Sequence, residues 1–338
     1  MTQEKEIILA VETSCDETAV AILRDGRELL SNLVFSQIKI HQQFGGVVPE
    51  IAARKHLEQV NLLISLALEE AGLTFPQLSA LAVTYGPGLV GALLIGVSTV
   101  KALAYSLNLP LLGVNHMEGH LYANWLGQEQ ITFPLVGLIV SGGHTSLIEM
   151  RGHGEYLLLG QTQDDAVGEA YDKVARAMGL GYPGGPLLDA LAREGNGEAL
   201  SLPRAWLGEG SFDFSFSGLK TAVLNYLNRA SLKGEAVNQA DLAASFQASV
   251  VEVLVEKTIR VARKKGLPTV LMAGGVSANS SLREQMRKRC EQEGLRLYYP
   301  PVEFCTDNAA MIACAAHYRY LKGERADWYL NAIPQLRL

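Results

Sequence analysis

The sequence predicts an α/β fold with largely parallel strand pairing, on three observations. Short apolar runs of strand type alternate with longer segments of helical period. A β-hairpin with a polar tip occurs near the start and again near residue 140, which points to an internal duplication. The composition, 48% hydrophobic and 19% charged over 338 residues, supports a sizeable packed core with no low-complexity stretch.

Residues 7–12 form an apolar strand, Thr13-Ser14-Cys15-Asp16-Glu17 a tight polar turn, and residues 18–24 the return strand, ending at Asp25-Gly26. Residues 51–71 have helical periodicity. A buried strand over 78–83 leads into Tyr85-Gly86-Pro87-Gly88 and a helix over 89–107. The short strand 111–114 then delivers Asn115. The second hairpin pairs 135–140 with 145–150 across Ser141-Gly142-Gly143-His144. A helix over 167–178, the loop Gly181-Tyr182-Pro183-Gly184-Gly185-Pro186 and a short helix through Asp189 and Ala192 follow. Residues 242–262 form a long amphipathic helix and 269–272 a strand, then comes the turn Ala273-Gly274-Gly275-Val276-Ser277, with Asn279-Ser280-Ser281 capping the next helix. Cys305-Thr306-Asp307-Asn308 precedes an alanine-rich helix reaching about residue 321. At this length two domains are expected, cut near Val114 into 1–114 and 115–322, with residues 323–338 packing back on the first.

Residues 1–6 carry no basic leader or cleavage site, so no secretory signal is expected. The most apolar long segment, 89–100, is read as too short to cross a bilayer, which makes the chain soluble. Cys15, Cys290, Cys305 and Cys314 form no Cys-x-x-Cys pair, and a reducing cytoplasm fits them best. The net charge of −6 argues against indiscriminate adhesion to nucleic acid. Two local basic clusters, Arg260, Arg263, Lys264, Lys265 and Arg283, Arg287, Lys288, Arg289, read as solvated helix faces or as RNA contacts.

The candidate chemistry begins at Asn115-His116-Met117-Glu118-Gly119-His120. One helical turn sets the two imidazoles side by side, and such a pair with one more ligand can hold a divalent ion. Two helix histidines satisfied by backbone or solvent are the structural alternative. The metalloprotease signature is not met, because Glu118 lies two residues after His116 and points about 200° away from it on a helix. Asp307, at a helix start, supplies the oxygen that two histidine nitrogens lack, or else caps its helix. Two histidines and one aspartate leave positions open for water or substrate. Ser141, Gly142 and Gly143 let backbone amides approach an anionic oxygen, though a Gly-Gly turn also closes a hairpin; Gly274-Gly275 carries the same two readings, and Asn279 reads as a cap or a ligand contact.

Taken in order, Glu12-Thr13-Ser14-Cys15-Asp16-Glu17-Thr18, Asn115 to His120, Val140-Ser141-Gly142-Gly143-His144-Thr145 and Ala273-Gly274-Gly275-Val276-Ser277-Ala278-Asn279 closely resemble the tRNA adenosine threonylcarbamoyltransferase family, once described as glycoproteases. Gly-Tyr-Pro-Gly-Gly-Pro and Cys-Thr-Asp-Asn extend the match over nearly the whole chain. The resemblance implies the duplicated actin-like, sugar-kinase-like (ribonuclease-H-like) two-lobe fold with a nucleotide cleft between the lobes. It implies one iron(II) or zinc ion on His116, His120 and Asp307. It also implies substrate binding by Val140, Ser141, Gly142, Gly143, His144, Asp172, Gly185, Asp189 and Asn279. The implied reaction moves a threonylcarbamoyl group from threonylcarbamoyl-adenylate to the exocyclic amine of the adenosine 3′ of the anticodon, in tRNAs reading codons that begin with A. Asp16 or Glu17 is the candidate acceptor of the amine proton, or simply closes its turn. Implied partners are tRNA, a separate synthase, a smaller paralogous subunit and, in bacteria, an ATPase, with no membrane. The competing readings are an actin-like-fold ATPase or small-molecule kinase, which needs no histidine pair, and a non-catalytic tRNA scaffold.

Overall fold

A computed structural model of the chain describes residues 5–126, 131–208 and 210–338. Residues 1–4, which belong to the opening read above, lie outside the described residues. Two compact units emerge, Met1–Ile131 with Pro300–Leu338, and Thr132–Tyr299.

The first unit opens with β1 (Ile7–Glu12), β2 (Glu17–Arg24) and β3 (Glu28–Ser36), then a one-turn helix α1 (Ile38–His41) and the long α2 (Pro49–Glu70). β4 (Ala80–Gly86), α3 (Val90–Leu107), β5 (Leu111–Asn115) and α4 (His116–Tyr122) follow. The sheet order is β3-β2-β1-β4-β5, with β1 antiparallel to β2 and parallel to β4. Strand alternation sorts the side chains. Leu9, Val11, Val20, Ile22, Leu81 and Val83 join Val60, Ile64, Val97 and Val100 of α2 and α3 in one core. The other face carries Ala10, Ala21 and Ala82 and ends in Glu12 and Thr84.

The second unit repeats this plan. Its strands are β6 (Leu135–Val140), β7 (Thr145–Gly152), β8 (Glu155–Gln161), β9 (Thr269–Ala273) and β10 (Arg296–Tyr298), with α5 (Val167–Ala177), α6 (Gly184–Ala192), α7 (Ser217–Lys233), α8 (Gln239–Lys265) and α9 (Ser280–Glu293). The order β10-β9-β6-β7-β8 is that of the first sheet, with β6 antiparallel to β7 and parallel to β9. Two copies of one five-stranded topology make this the duplicated actin-like architecture. The chain then returns to the first unit with α10 (Ala309–Leu321), whose alanine-rich body packs on β1, β2 and α4.

The units therefore divide at 131/132 and 299/300, where the sequence reading placed a cut near Val114. The reason is local: α4 continues from β5 and is packed by α10, so the histidine helix and Asp307 belong to the same unit as β1. The membrane reading of 89–100 also needs correction. α3 spans 18 residues and is long and apolar enough to cross a bilayer by length and composition. It packs on α2 and β4, with Ala92, Leu93, Gly96, Val97, Val100 and Ala104 buried, as a core helix does.

Candidate metal centre and glycine turns

α4 starts where the Asn115 side chain accepts from the amides of Met117 (2.8 Å) and Glu118 (3.4 Å), the cap its residue type favours. The cap fixes the first turn, and the i, i+4 spacing brings His116 edge-on to His120, with ring centroids 4.6 Å apart and ring planes 75° to each other. Asp307, just before α10, closes the group: its Oδ1 lies 3.5 Å from His116 Nε2 and 3.3 Å from His120 Nε2. The three candidate ligand atoms fall within 4.8 Å of one another.

His120 is 1% exposed, and among the described residues neither ring nitrogen reaches hydrogen-bond geometry, its Nε2 lying only against the Asp307 carboxylate and its Nδ1 against no polar partner. An orphaned buried imidazole costs free energy, and a cation among the three groups would relieve it. Two imidazoles with a carboxylate suit zinc or iron(II). The residues present therefore fit a divalent ion.

The electrostatics agree. Burial lowers the His120 pKa, which keeps the ring neutral as ligation requires. Burial would do the same to His116, but Asp307 and Glu12 outweigh it and hold His116 well above its ordinary value. Burial alone would raise Asp307, yet the two histidines pull its carboxyl far below the usual range. A concentration of negative charge thus surrounds His116, which a cation would neutralise. Glu118 takes no part: it is 1% exposed and accepts from Arg319 at 2.6 and 2.9 Å, turned away as its register predicted.

Asp16 is 7% exposed, and its backbone carbonyl accepts from the Gln37 amide at 3.0 Å. Glu17 accepts from the Ser36 hydroxyl at 3.0 Å. Burial, then Asp16 and Asp307, push its carboxyl up to about 10. His56 of α2 braces the same tip, its Nε2 donating to the Cys15 carbonyl at 2.9 Å while Nδ1 meets the Thr18 hydroxyl at 2.8 Å.

In the second unit the predicted substrate residues lie at the C-terminal end of β6 and the turn after it, within α5 and α6, and at the start of α9. Val140 is fully buried at the end of β6. The Ser141 hydroxyl accepts from the His144 amide at 3.1 Å, and the Ser141 amide donates to the His144 carbonyl at 2.9 Å. Gly168 presses on this turn: a Cβ there would lie 2.7 Å from the Ser141 carbonyl oxygen and 2.8 Å from Gly142 Cα. At Gly142 and Gly143 a Cβ would meet nothing within 4 Å, and neither residue has a positive φ. The protein's own packing does not demand a glycine at either position. Gly185, in the first turn of α6, is equally open.

Asp172 accepts from the Gly184 amide at 2.7 Å, which fixes the start of α6. Asp189 accepts from the Ser280 hydroxyl at 2.9 Å and from Arg193 at 3.0 Å. Asn279 caps α9 through Leu282 N at 2.9 Å, and its amide donates to Gln247 Oε1 at 2.7 Å, which also accepts from Tyr171 at 3.3 Å. Asp189 and Asn279 thus meet at one helix start, and Asp172 adjoins Gly185. Gln247 and Tyr171 were missed, since both sit inside helices with no local signal. In the second basic cluster Arg289 pairs with Glu256, Arg287 with Glu291 and Lys288 with Glu284, while in the first Arg263 pairs with Glu293 and Lys265 with Glu149, and Arg260 and Lys264 lie over the Trp206 and Phe212 rings. This supports the solvated-face reading.

The duplicated topology and the His–His–Asp group define a protein of the actin-like class with a candidate divalent-metal site. A family model described as tRNA N6-adenosine threonylcarbamoyltransferase matches residues 28–314. Curated relatives so described are 56% identical in Desulfitobacterium hafniense (strain Y51) and 57% in Moorella thermoacetica, each covering 98% of this chain and 97% of the relative. A third, in Clostridioides difficile (strain 630), is 53% identical and covers 98% of both. The chain belongs to the tRNA N6-adenosine threonylcarbamoyltransferase family. Its fold resembles full-length HypF crystallised in the phosphate- and nucleotide-bound form (TM-score 0.62, 14% identity, 96% of this chain), of which it spans 48%. It also resembles (R)-2-hydroxyglutaryl-CoA dehydratase component A of Acidaminococcus fermentans (TM-score 0.52, 16% identity, 94% of this chain and 98% of that one).

Proposed function

We propose that this chain transfers the threonylcarbamoyl group from threonylcarbamoyl-adenylate to the N6 amine of the adenosine 3′ of the anticodon, in tRNAs reading A-starting codons. The carrying observation is the family match along 98% of the chain together with the buried His116, His120 and Asp307 group. The new bond joins N6 to the carbamoyl carbon, the carbon–oxygen bond to the adenylate phosphate breaks, AMP leaves and the amine loses a proton.

Adenylate is a good leaving group, so the protein's task is positioning and charge stabilisation. A divalent ion, iron(II) or zinc, on His116, His120 and Asp307 supplies Lewis acidity toward the donor's carbonyl or phosphate oxygens. Val140, Ser141, Gly142, Gly143 and His144 form the turn that receives the adenylate, with the two exposed glycines admitting its oxygens to backbone amides. Asp172 of α5, Gly185 and Asp189 of α6 and Asn279 at the start of α9 complete that binding surface. Between the two candidate proton acceptors, Asp16 is the better choice. Burial, then the Asp16 and Asp307 charges, push the Glu17 carboxyl up to about 10, which favours its protonated form over a proton-accepting one.

The substrate is tRNA. The adenylate comes from a separate synthase, and a smaller paralogous subunit and an ATPase assist, in the cytoplasm. An ATPase or small-molecule kinase is not favoured, because it leaves the histidine pair without a role. The test is mass spectrometry of tRNA nucleosides after incubation with the purified chain, its helpers, threonine, bicarbonate and ATP. Threonylcarbamoyladenosine is expected, and its absence with helpers shown to make the adenylate refutes the reading.

A further inference from the structure

Glu12 ends β1 on the strand face that carries Ala10, with no exposed surface at all. Its carboxylate accepts on both oxygens: Oε1 from the Ser14 amide at 2.5 Å, and Oε2 from the Thr84 hydroxyl at 2.5 Å. His116 Nδ1 lies 3.2 Å from Oε2 and 3.1 Å from the Ser14 hydroxyl. A hydroxyl can turn to donate or accept. A carboxylate bonded in this way only accepts, so a bare Nδ1 lone pair beside it would be repelled.

We infer that Glu12 is a positioning residue that locks the proton of His116 on Nδ1 and thereby presents Nε2 to a metal ion shared with His120 and Asp307. Metal-bound histidines commonly donate their second N–H to a carboxylate, which fixes the ring and strengthens it as a ligand. The register of the sheet builds the contact. Val11 pairs with Val83, which places Glu12 beside Thr84 on the face that α4 and α10 cover. Among the described residues His120 has no equivalent partner on its Nδ1, so the geometry fixes the tautomer of His116 alone. The same geometry predicts why an amide cannot replace the acid. A glutamine that turns its NH2 to His116 forces the proton onto Nε2, and the opposite flip sets NH2 against the Ser14 amide.

The inference rests on the metal reading, and the test separates the two. Metal-stripped full-length chain is titrated with cobalt(II), following the visible d–d bands and competition with a chromophoric chelator. The native chain is expected to bind one ion. Glu12→Gln is expected to bind ten- to a hundredfold more weakly with altered bands. Thr84→Val, which leaves the carboxylate on His116, is expected to stay within about threefold of native, well short of that second-ligand effect. Equal affinity and spectrum for native and Glu12→Gln overturn the role of Glu12 alone, whereas no binding by the native chain overturns the metal site with it. Should Glu12→Gln fail to fold, nitrogen-15 NMR of the zinc-loaded native chain, assigned with His116→Ala, decides: ligation through Nε2 with a protonated Nδ1 supports the inference, and ligation through Nδ1 overturns it.

Discussion

Replacing Gly168 by alanine should weaken substrate use while nearly sparing the fold. The new Cβ would sit 2.8 Å from Gly142 Cα and 2.7 Å from the Ser141 carbonyl oxygen, both backbone atoms. Reaching an ordinary contact of about 3.5 Å requires the turn and the start of α5 to separate by about 0.7 Å. Stability should fall by about 0–2 kcal/mol, since overpacking costs about 1–3 kcal/mol and alanine gains at most about 1 kcal/mol over glycine in a helix, so the variant should still fold. The Gly168 amide also donates to Ser141 at 3.2 Å, so the shift is transmitted to the donors proposed for the adenylate. A misplacement of about 1 Å can cost about a hundredfold, so kcat/KM for tRNA modification should fall about ten- to a hundredfold. The assay is initial-rate nucleoside analysis at varied adenylate supply, alongside a thermal melt. A folded Gly168→Ala protein within twofold of native refutes the assignment of the turn to substrate.

Asp164 provides a stability test. It accepts from the Phe216 amide at 2.8 Å and from the Ser215 and Ser217 hydroxyls at 2.5 and 2.6 Å, so Asp164→Ala should cost about 1–3 kcal/mol in chemical denaturation. Burial raises its carboxyl, but these bonds outweigh burial and bring it below its ordinary value. A depressed folded-state pKa contributes stability above the unfolded value of about 3.9 and loses it as pH falls through the folded one, so the gap to Asp164→Asn should begin to narrow below about pH 4 and vanish only under the folded value. Asn115→Ala removes the α4 cap and a bond from its amide to the Arg337 carbonyl at 3.1 Å. It should lower stability by about 1 kcal/mol and weaken cobalt binding, as read by denaturation and titration. Glu118→Ala should lower the melting temperature through the lost Arg319 pair, although Arg319 keeps Glu324, yet retain cobalt affinity; loss of the metal would mean that Glu118 belongs to the centre after all.

What could be read in advance followed local patterns. Both hairpins, α2, α3 and α8 announce themselves through apolar period and turn residues. β3 and β8 were missed, because their residues are mostly exposed or half-buried and show no clean alternation. α7 was missed because its N-terminus is capped by Asp164, some fifty residues away, and no local capping residue marks it. The His116–His120 pair was legible from spacing, while Asp307 needed a long-range contact that only α10 returning to the first sheet provides. Glu12 had one faint signal, an acidic residue ending an otherwise apolar strand. Its partner Thr84 is 72 residues distant and is found through sheet register alone.

The central claim is that the two histidines and the aspartate hold an ion that the transfer requires. The direct measurement is threonylcarbamoyladenosine formed by the native chain after chelator treatment and after return of one equivalent of iron(II) or zinc, with His116→Ala/His120→Ala beside it. Product should vanish with the ion, return with it in the native chain, and stay absent in the double variant. Undiminished product from the stripped chain, or from the folded double variant, would contradict it.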